Sequence, residues 1–201
     1  MVERLNGKIA LVVGAGSIGP GWGNGKATAV AFAREGAKIF CADINLAAAE
    51  ESARIIRSEG GEAVAHRADV SKAADVKAMI ETCVSAYGRI DVLDNNVGVA
   101  EIGGVVEISE VEWDRVFAVN LKGAYLAMKQ TIPLMVRQGG GSIINISSIA
   151  SPLHRGCLRD LLRAQICLSW HGEFESTLIT PQPLGRDLRA VAKRLELGPD
   201  D

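Results

Sequence analysis

Nowhere in this 201-residue sequence is there an apolar run long enough to span a bilayer, and the polar start Met1–Lys8 gives way directly to a strand-length apolar segment. That pattern excludes a spanning helix and a secretory leader in the sequence as written, and it sets the cytoplasm as the expected location. Charge of one sign is also lacking. With Lys+Arg at 22 against Asp+Glu at 24, there is no basic field for a nucleic-acid backbone and no Lys/Arg block for a membrane surface. The four cysteines, Cys41, Cys83, Cys157 and Cys167, form no CxxC pair, so free thiols are expected rather than a disulfide framework. His154 and His171 are widely separated and lack a carboxylate pattern, so no metal site is expected. Aromatic residues amount to 4%, and both tyrosines, Tyr87 and Tyr125, fall in the first two thirds of the chain. What remains, at 48% hydrophobic and 23% charged, is one globular domain with a small-molecule partner.

Short β-branched runs alternate with longer amphipathic stretches. A strand at 9–13 leads through a glycine-rich turn into a helix over about 25–35, stopped by Gly36. The period repeats with a strand at 37–43 and helix at 46–59, then a strand at 62–68 and helix at 72–87. A fourth strand at 90–95 precedes a long fourth helix from near Ser109 past Lys129, and a fifth strand covers 142–147. Strands joined by crossover helices require a parallel sheet covered on both faces, so the expected fold is α/β: a doubly wound, Rossmann-like, three-layer α/β/α sandwich. The expected organisation is a dinucleotide-binding domain over residues 1–152 and a tail over 153–201 that is no domain of its own. The sheet is expected to stop at strand five and be incomplete at its C-terminal edge.

The turn Gly14-Ala-Gly-Ser-Ile-Gly-Pro-Gly-Trp-Gly-Asn-Gly25 lies where a dinucleotide pyrophosphate rests on helix N-terminal amides. Glycine permits positive φ and close backbone approach, although the spacing from Gly14 to the Gly23-Asn24-Gly25 group is stretched. An NTPase phosphate loop is the rival. It fails because Pro20 stands where its first glycine belongs and Ala27 where Ser or Thr should follow Gly25-Lys26. A turn with no ligand is the plainer alternative. Asp43 ends strand two, where a carboxylate accepts the adenosine-ribose hydroxyls and repels a 2′-phosphate, which favours NAD over NADP; a turn or N-cap role is the alternative.

Beyond these residues, Ala68-Asp-Val70, Asn95-Asn-Val-Gly98, Val119-Asn-Leu-Lys-Gly123 and Ile144-Asn-Ile-Ser-Ser148 follow in order. With Gly14-Ala-Gly-Ser17 and Gly23-Asn-Gly25, they make residues 5 to about 152 resemble the short-chain dehydrogenase/reductase family. Relative to the family's TGxxxGxG, Val13 replaces Thr and about five residues are inserted. The resemblance implies a pyrophosphate site at Gly14, Ser17, Gly23, Asn24 and Gly25. It also implies adenine contacts from Asp69 and Val70, and a cofactor cleft lined by Asn96 and Gly98. Asn120 would hold a proton-relay water, and Ser148 would be the catalytic serine. The implied activity is NAD-dependent hydride transfer between nicotinamide and a small alcohol or ketone.

That chemistry needs a tyrosine whose phenol is made more acidic by a lysine four residues on, about a dozen residues beyond Ser148. No tyrosine follows Ser148. Tyr125-Leu-Ala-Met-Lys129 has the spacing but sits on the fourth helix, where packing or subunit contact is the expected role. Residues 153–201 resemble none of the family's last two strands and helices and read as a frameshift just after Arg155 or Gly156, or as a truncation. Turnover by this chain is therefore in doubt, the alternative function is an inactive dinucleotide-binding module, and any homo-oligomer is expected to pair through the fourth helix.

Overall fold

A computed structural model describes residues 3–99 and 106–146, together with the backbone of 175–177. Five parallel strands, β1 (Ile9–Val13), β2 (Lys38–Asp43), β3 (Ala63–Arg67), β4 (Val92–Asn95) and β5 (Ser142–Asn145), lie in the order β3-β2-β1-β4-β5. The expected free edge at β5 is not observed. A three-residue strand, β6 (Glu175–Thr177), pairs in parallel with β5 and takes up its outer edge. An unpaired strand edge presents a row of unmet amides and carbonyls, which is the physical reason for a neighbour there.

Alternation along the strands sorts the core into two layers. Ile9, Leu11 and Val13 point to one face, where Val76, Met79, Ile80 and Cys83 of α3 (Ala73–Tyr87) meet Leu126, Ala127 and Met135 of α5 (Gly123–Gln138). Ala10 and Val12 point to the other face, against Ala29 and Val30 of α1 (Asn24–Arg34) and Ala49, Ala53 and Ile56 of α2 (Leu46–Ser58). Small alanines on that second face let both helices lie close to the sheet. Cys41 and Cys83 are free thiols, and burial pushes both up to about 12.

The expected fourth helix is more articulated than its sequence suggests. It begins as α4 (Glu110–Phe117), with Ser109 and Glu112 forming a reciprocal capping box. It widens to a π turn over Ala118–Lys122 and continues as α5, which contains Pro133 and stops at left-handed Gly139. Asn120 explains the widening: its side-chain oxygen accepts from the Val99 amide and its nitrogen donates to the Val99 carbonyl, each at 2.8 Å. This two-point bond to a separate backbone segment sits within the π turn, as functional π bulges commonly do. Among the described residues, no helix is long and apolar enough to cross a membrane.

Thr131 on α5 is completely buried, and its hydroxyl has no hydrogen-bond partner among the described residues. A buried hydroxyl without a partner carries its desolvation cost uncompensated. Thr131→Val is therefore expected to stabilise the fold by about 1 kcal/mol in urea denaturation; a loss of stability would contradict the placement of that side chain.

Candidate functional site

Connections run outward in opposite directions from β1 and β4, so a crevice opens at the carboxyl ends of these adjacent strands. The turn after β1 and the segment Asn96–Val99 after β4 form its two walls. Gly14, at φ +86°, starts the turn, and its amide and that of Ala15 both donate to the Ala42 carbonyl, at 2.8 and 3.0 Å. A Cβ on Gly14 would meet Val97 at 2.9 Å, and one on Gly25 would overlap the Gly14 carbonyl. Glycine at these two positions is what allows the walls and the first turn of α1 to approach each other.

Side chains from four places fix the turn. Asp43 Oδ2 accepts the Gly16 amide at 2.9 Å, while Oδ1 accepts the Asn45 amide at 2.9 Å. Buried Ser52 of α2 donates to the Ala15 carbonyl at 2.6 Å. Ser17 Oγ accepts the Gly23 amide at 2.6 Å and donates to the Gly21 carbonyl at 3.2 Å. Lys26 Nζ donates to the same Gly21 carbonyl at 2.9 Å and pairs with Glu51 at 2.8 Å. Gly23 is the N-cap of α1 and supplies no side-chain oxygen, and no acidic residue lies in the first turn. The leading amides around exposed Asn24 are thus left available to an anion.

The remaining predicted residues divide into two groups. Val70 is buried beside Asn120 and Gly123, and together with Val13, Asn95 and Asn145 they line a small cavity of about 20 Å³ under the crevice. That is roughly the room of a single water. A Cβ on Gly123 would meet Val70 at 2.8 Å, so the small residue keeps the π turn against β3's exit. Asp69 is engaged with its own turn. It accepts from the Ser71 hydroxyl at 2.6 Å and pairs with Lys72 at 3.3 Å, and the Ser71 bond is the main cause holding its carboxyl below the usual range. The Asn96 amide continues the β1 ladder through the Val13 carbonyl at 2.9 Å, and Gly98 follows in the same wall. Ser148 lies outside the described residues. Tyr125 is 47% exposed beneath Lys129, whose Nζ is 5.6 Å from the ring centroid, and neither residue lines the cavity.

Ser52 and four further residues around the site are not singled out by the sequence. Lys26 figures there only within the rejected NTPase motif, and Glu51, its partner, lies on the next helix, a pairing that local spacing does not reveal. Asn145 accepts from Asn95 across β4 and β5 at 2.8 Å. Asp94 is completely buried on the α1/α2 face, opposite Val12 and Ile144 in register. Its Oδ2 accepts from Asn96 at 3.2 Å, and its Oδ1 has no partner among the described residues. Burial raises the Asp94 carboxyl from 3.8 to about 6.

The sequence profile of the short chain dehydrogenase family matches residues 8–157. An uncharacterized oxidoreductase of Thermotoga maritima is 39% identical over 165 residues, covering 81% of this chain and 63% of its own. Cyclohexanol dehydrogenase of an Acinetobacter strain is 38% identical over 75% of this chain and 58% of its own. A 3-oxoacyl-[acyl-carrier-protein] reductase of Thermotoga maritima is 37% identical over 73% and 57%. A solved structure assigned to the short-chain dehydrogenase/reductases, from Burkholderia xenovorans, superposes with a TM-score of 0.76 at 41% identity, covering 80% of this chain and 65% of that one. The chain thus spans about 60% of the length of these curated relatives.

An acid raised in the folded state binds protons there that the unfolded chain has already released. Stability contributed by Asp94 is therefore present below about pH 4 and lost as pH rises to about 6. Asp94→Asn keeps an acceptor for Asn96 and removes the charge. It is expected to gain about 3 kcal/mol on the wild type between pH 4 and pH 8 at 1.36 kcal/mol per pKa unit. Urea midpoints at both pH values check this, and a variant whose advantage does not grow with pH would contradict it.

Proposed function

Because the chain belongs to the short-chain dehydrogenase family, we propose that residues 1–152 hold a nicotinamide dinucleotide in the crevice between β1 and β4, with NAD preferred to NADP. Asp43 is the observation that carries this reading. Its carboxylate is fixed at the end of β2 by the Gly16 and Asn45 amides, each oxygen keeping a lone pair for the adenosine-ribose hydroxyls. A 2′-phosphate placed there would meet an unneutralised carboxylate. Gly14, Ser17, Gly23, Asn24 and Gly25 present backbone to the pyrophosphate. Val70 and the Asp69 backbone border the adenine, and Asn96 and Gly98 form the opposite wall.

When bound, the nicotinamide supplies the hydride acceptor or donor for a carbinol or carbonyl carbon. In this reading Ser148 orients the substrate oxygen. Asn120 keeps a relay water at the small cavity beside it, with its own amide committed to Val99. The substrate class is a small alcohol or ketone. The proton-transferring phenol has no counterpart after Ser148, so residues 1–201 as they stand bind cofactor without turnover. The second reading, a dinucleotide-binding module with no reaction of its own, rests on the same fact.

We read the chain beyond about residue 155 as out of frame rather than as a domain, and the family match ending at residue 157 fits that boundary. The buried free thiols Cys41 and Cys83 fit a reducing cytoplasm. Exposed Tyr125 and Val136 on α5 support reading that helix as the face for pairing with a second copy.

Titration with NADH and NADPH, read by nicotinamide emission, is expected to favour NADH. Asp43→Asn is expected to reduce that preference about tenfold, the effect of removing roughly 1.4 kcal/mol of charge repulsion. Equal affinity of the wild type for both cofactors would reject the assignment of Asp43. Sequencing the coding DNA across residues 145–201 is expected to reveal Tyr-x-x-x-Lys in another frame, and incubation with alcohols or ketones is expected to leave nicotinamide absorbance unchanged. A clean frame would refute the frameshift, and turnover by this chain would refute the inactive reading.

A further inference from the structure

The inserted part of the glycine turn, residues 18–22, carries two exposed apolar side chains, Ile18 and Trp22, with relative exposures of 105% and 61%. Glycine-rich chain with that much apolar surface has no reason of its own to hold one shape. It is nevertheless tied at a single carbonyl. The Gly21 oxygen accepts both from Ser17 Oγ at 3.2 Å and from Lys26 Nζ at 2.9 Å. Lys26 is an unusual residue to find there. Its side chain is only 3% exposed, although it lies in the first turn of α1, where the helix dipole disfavours a cation. The charge is met by Glu51 of α2, 51% exposed, at 2.8 Å, and this bond is the main cause holding the Glu51 carboxyl below its usual range. A buried ammonium in an unfavourable dipole, paired across two helices and aimed at one loop carbonyl, indicates a geometric role for that carbonyl.

We propose that Lys26 and Glu51 are positioning residues for the dinucleotide, holding the inserted turn at Gly21 so that the pyrophosphate meets a preformed backbone cradle. The proposal rests on the reading of the crevice as a dinucleotide site and extends it to residues outside the family motifs. Without the lysine, Ser17 alone holds the Gly21 carbonyl, and Ser17 also has to accept the Gly23 amide. The turn is then free to move, and each cofactor that binds has to order it first, which lowers affinity. The role is indirect: Nζ is committed to Gly21 and Glu51.

The test uses the full chain and NADH, with affinity read by nicotinamide emission and stability by thermal midpoint. Lys26→Met is expected to weaken NADH binding about tenfold, within the range for displaced binding groups. Gly21→Ala provides a second variant away from the buried pair. Gly21 has φ +106° and open space where a methyl group would stand, with nothing within 4 Å, so the substitution strains the turn alone. It is expected to weaken NADH binding similarly with a melting midpoint lowered only slightly by the local strain, whereas Gly19→Ala, with open space and no positive φ, is expected to bind and melt as wild type. Lys26→Met combined with Glu51→Ala is expected to bind no more weakly than Lys26→Met alone, since both act on one contact. Wild-type affinity in both Lys26→Met and Gly21→Ala would overturn the positioning role while leaving the dinucleotide site standing. Failure of the wild-type chain to bind NADH would overturn the dinucleotide reading and this inference with it.

Discussion

The approach of α1 to the end of β1 governs this architecture. Gly25 lies so near the Gly14 carbonyl that a methyl group has no room, and Gly14 in turn lies against Val97 of the neighbouring wall. The β1 turn, the first turn of α1 that follows it, and the strand exit after β4, far along the chain, therefore meet with a glycine at each close approach. The crevice follows from that contact. A larger residue at either glycine would separate the walls, and the helix amides would no longer face the crevice proposed to take a phosphate.

Around this contact the side chains act mainly on backbone groups. Asp43, Ser52, Ser17 and Lys26 each bind an amide or carbonyl of the β1 turn, and Asn120 does the same for Val99 on the opposite wall. The polar residues of the site thus organise a surface of main-chain donors. Such a surface is suited to the shape and charge of the proposed dinucleotide and depends little on the rest of a ligand, which is consistent with one framework occurring in relatives named for a cyclohexanol and for an acyl-carrier-protein substrate.

The alternating layers were legible because periodicity reports burial directly. The run Ile9–Val13 is apolar throughout, which marks a strand covered on both faces, and the helical stretches between such runs supply the two covering layers. Ser109 was legible as a helix start for a local reason, its capping box with Glu112. The π turn was not, since Asn120 owes its role to Val99 on another segment, and no local pattern encodes that pairing. Lys26 and Asp94 were hidden similarly. A lysine in a first turn and an aspartate in a strand read as solvent-facing until α2 and the sheet are built over them. The β6 pairing was missed because three residues carry too little periodicity to announce a strand.

The π turn at Ala118–Lys122 also sets the phase of everything after it. A widened turn uses one residue more than an α turn does, so the side chains of α5 are rotated about its axis relative to an unbroken continuation of α4. That offset is what brings Gly123 and Ala124 to the small cavity and leaves Tyr125 outside it with Lys129. The pair with the spacing of a proton-transfer motif is kept from the crevice by helical phase as well as by its place in the chain. A single-residue deletion in this turn would shift that register, making the bulge a point where small changes in chain length would alter which residues face the crevice.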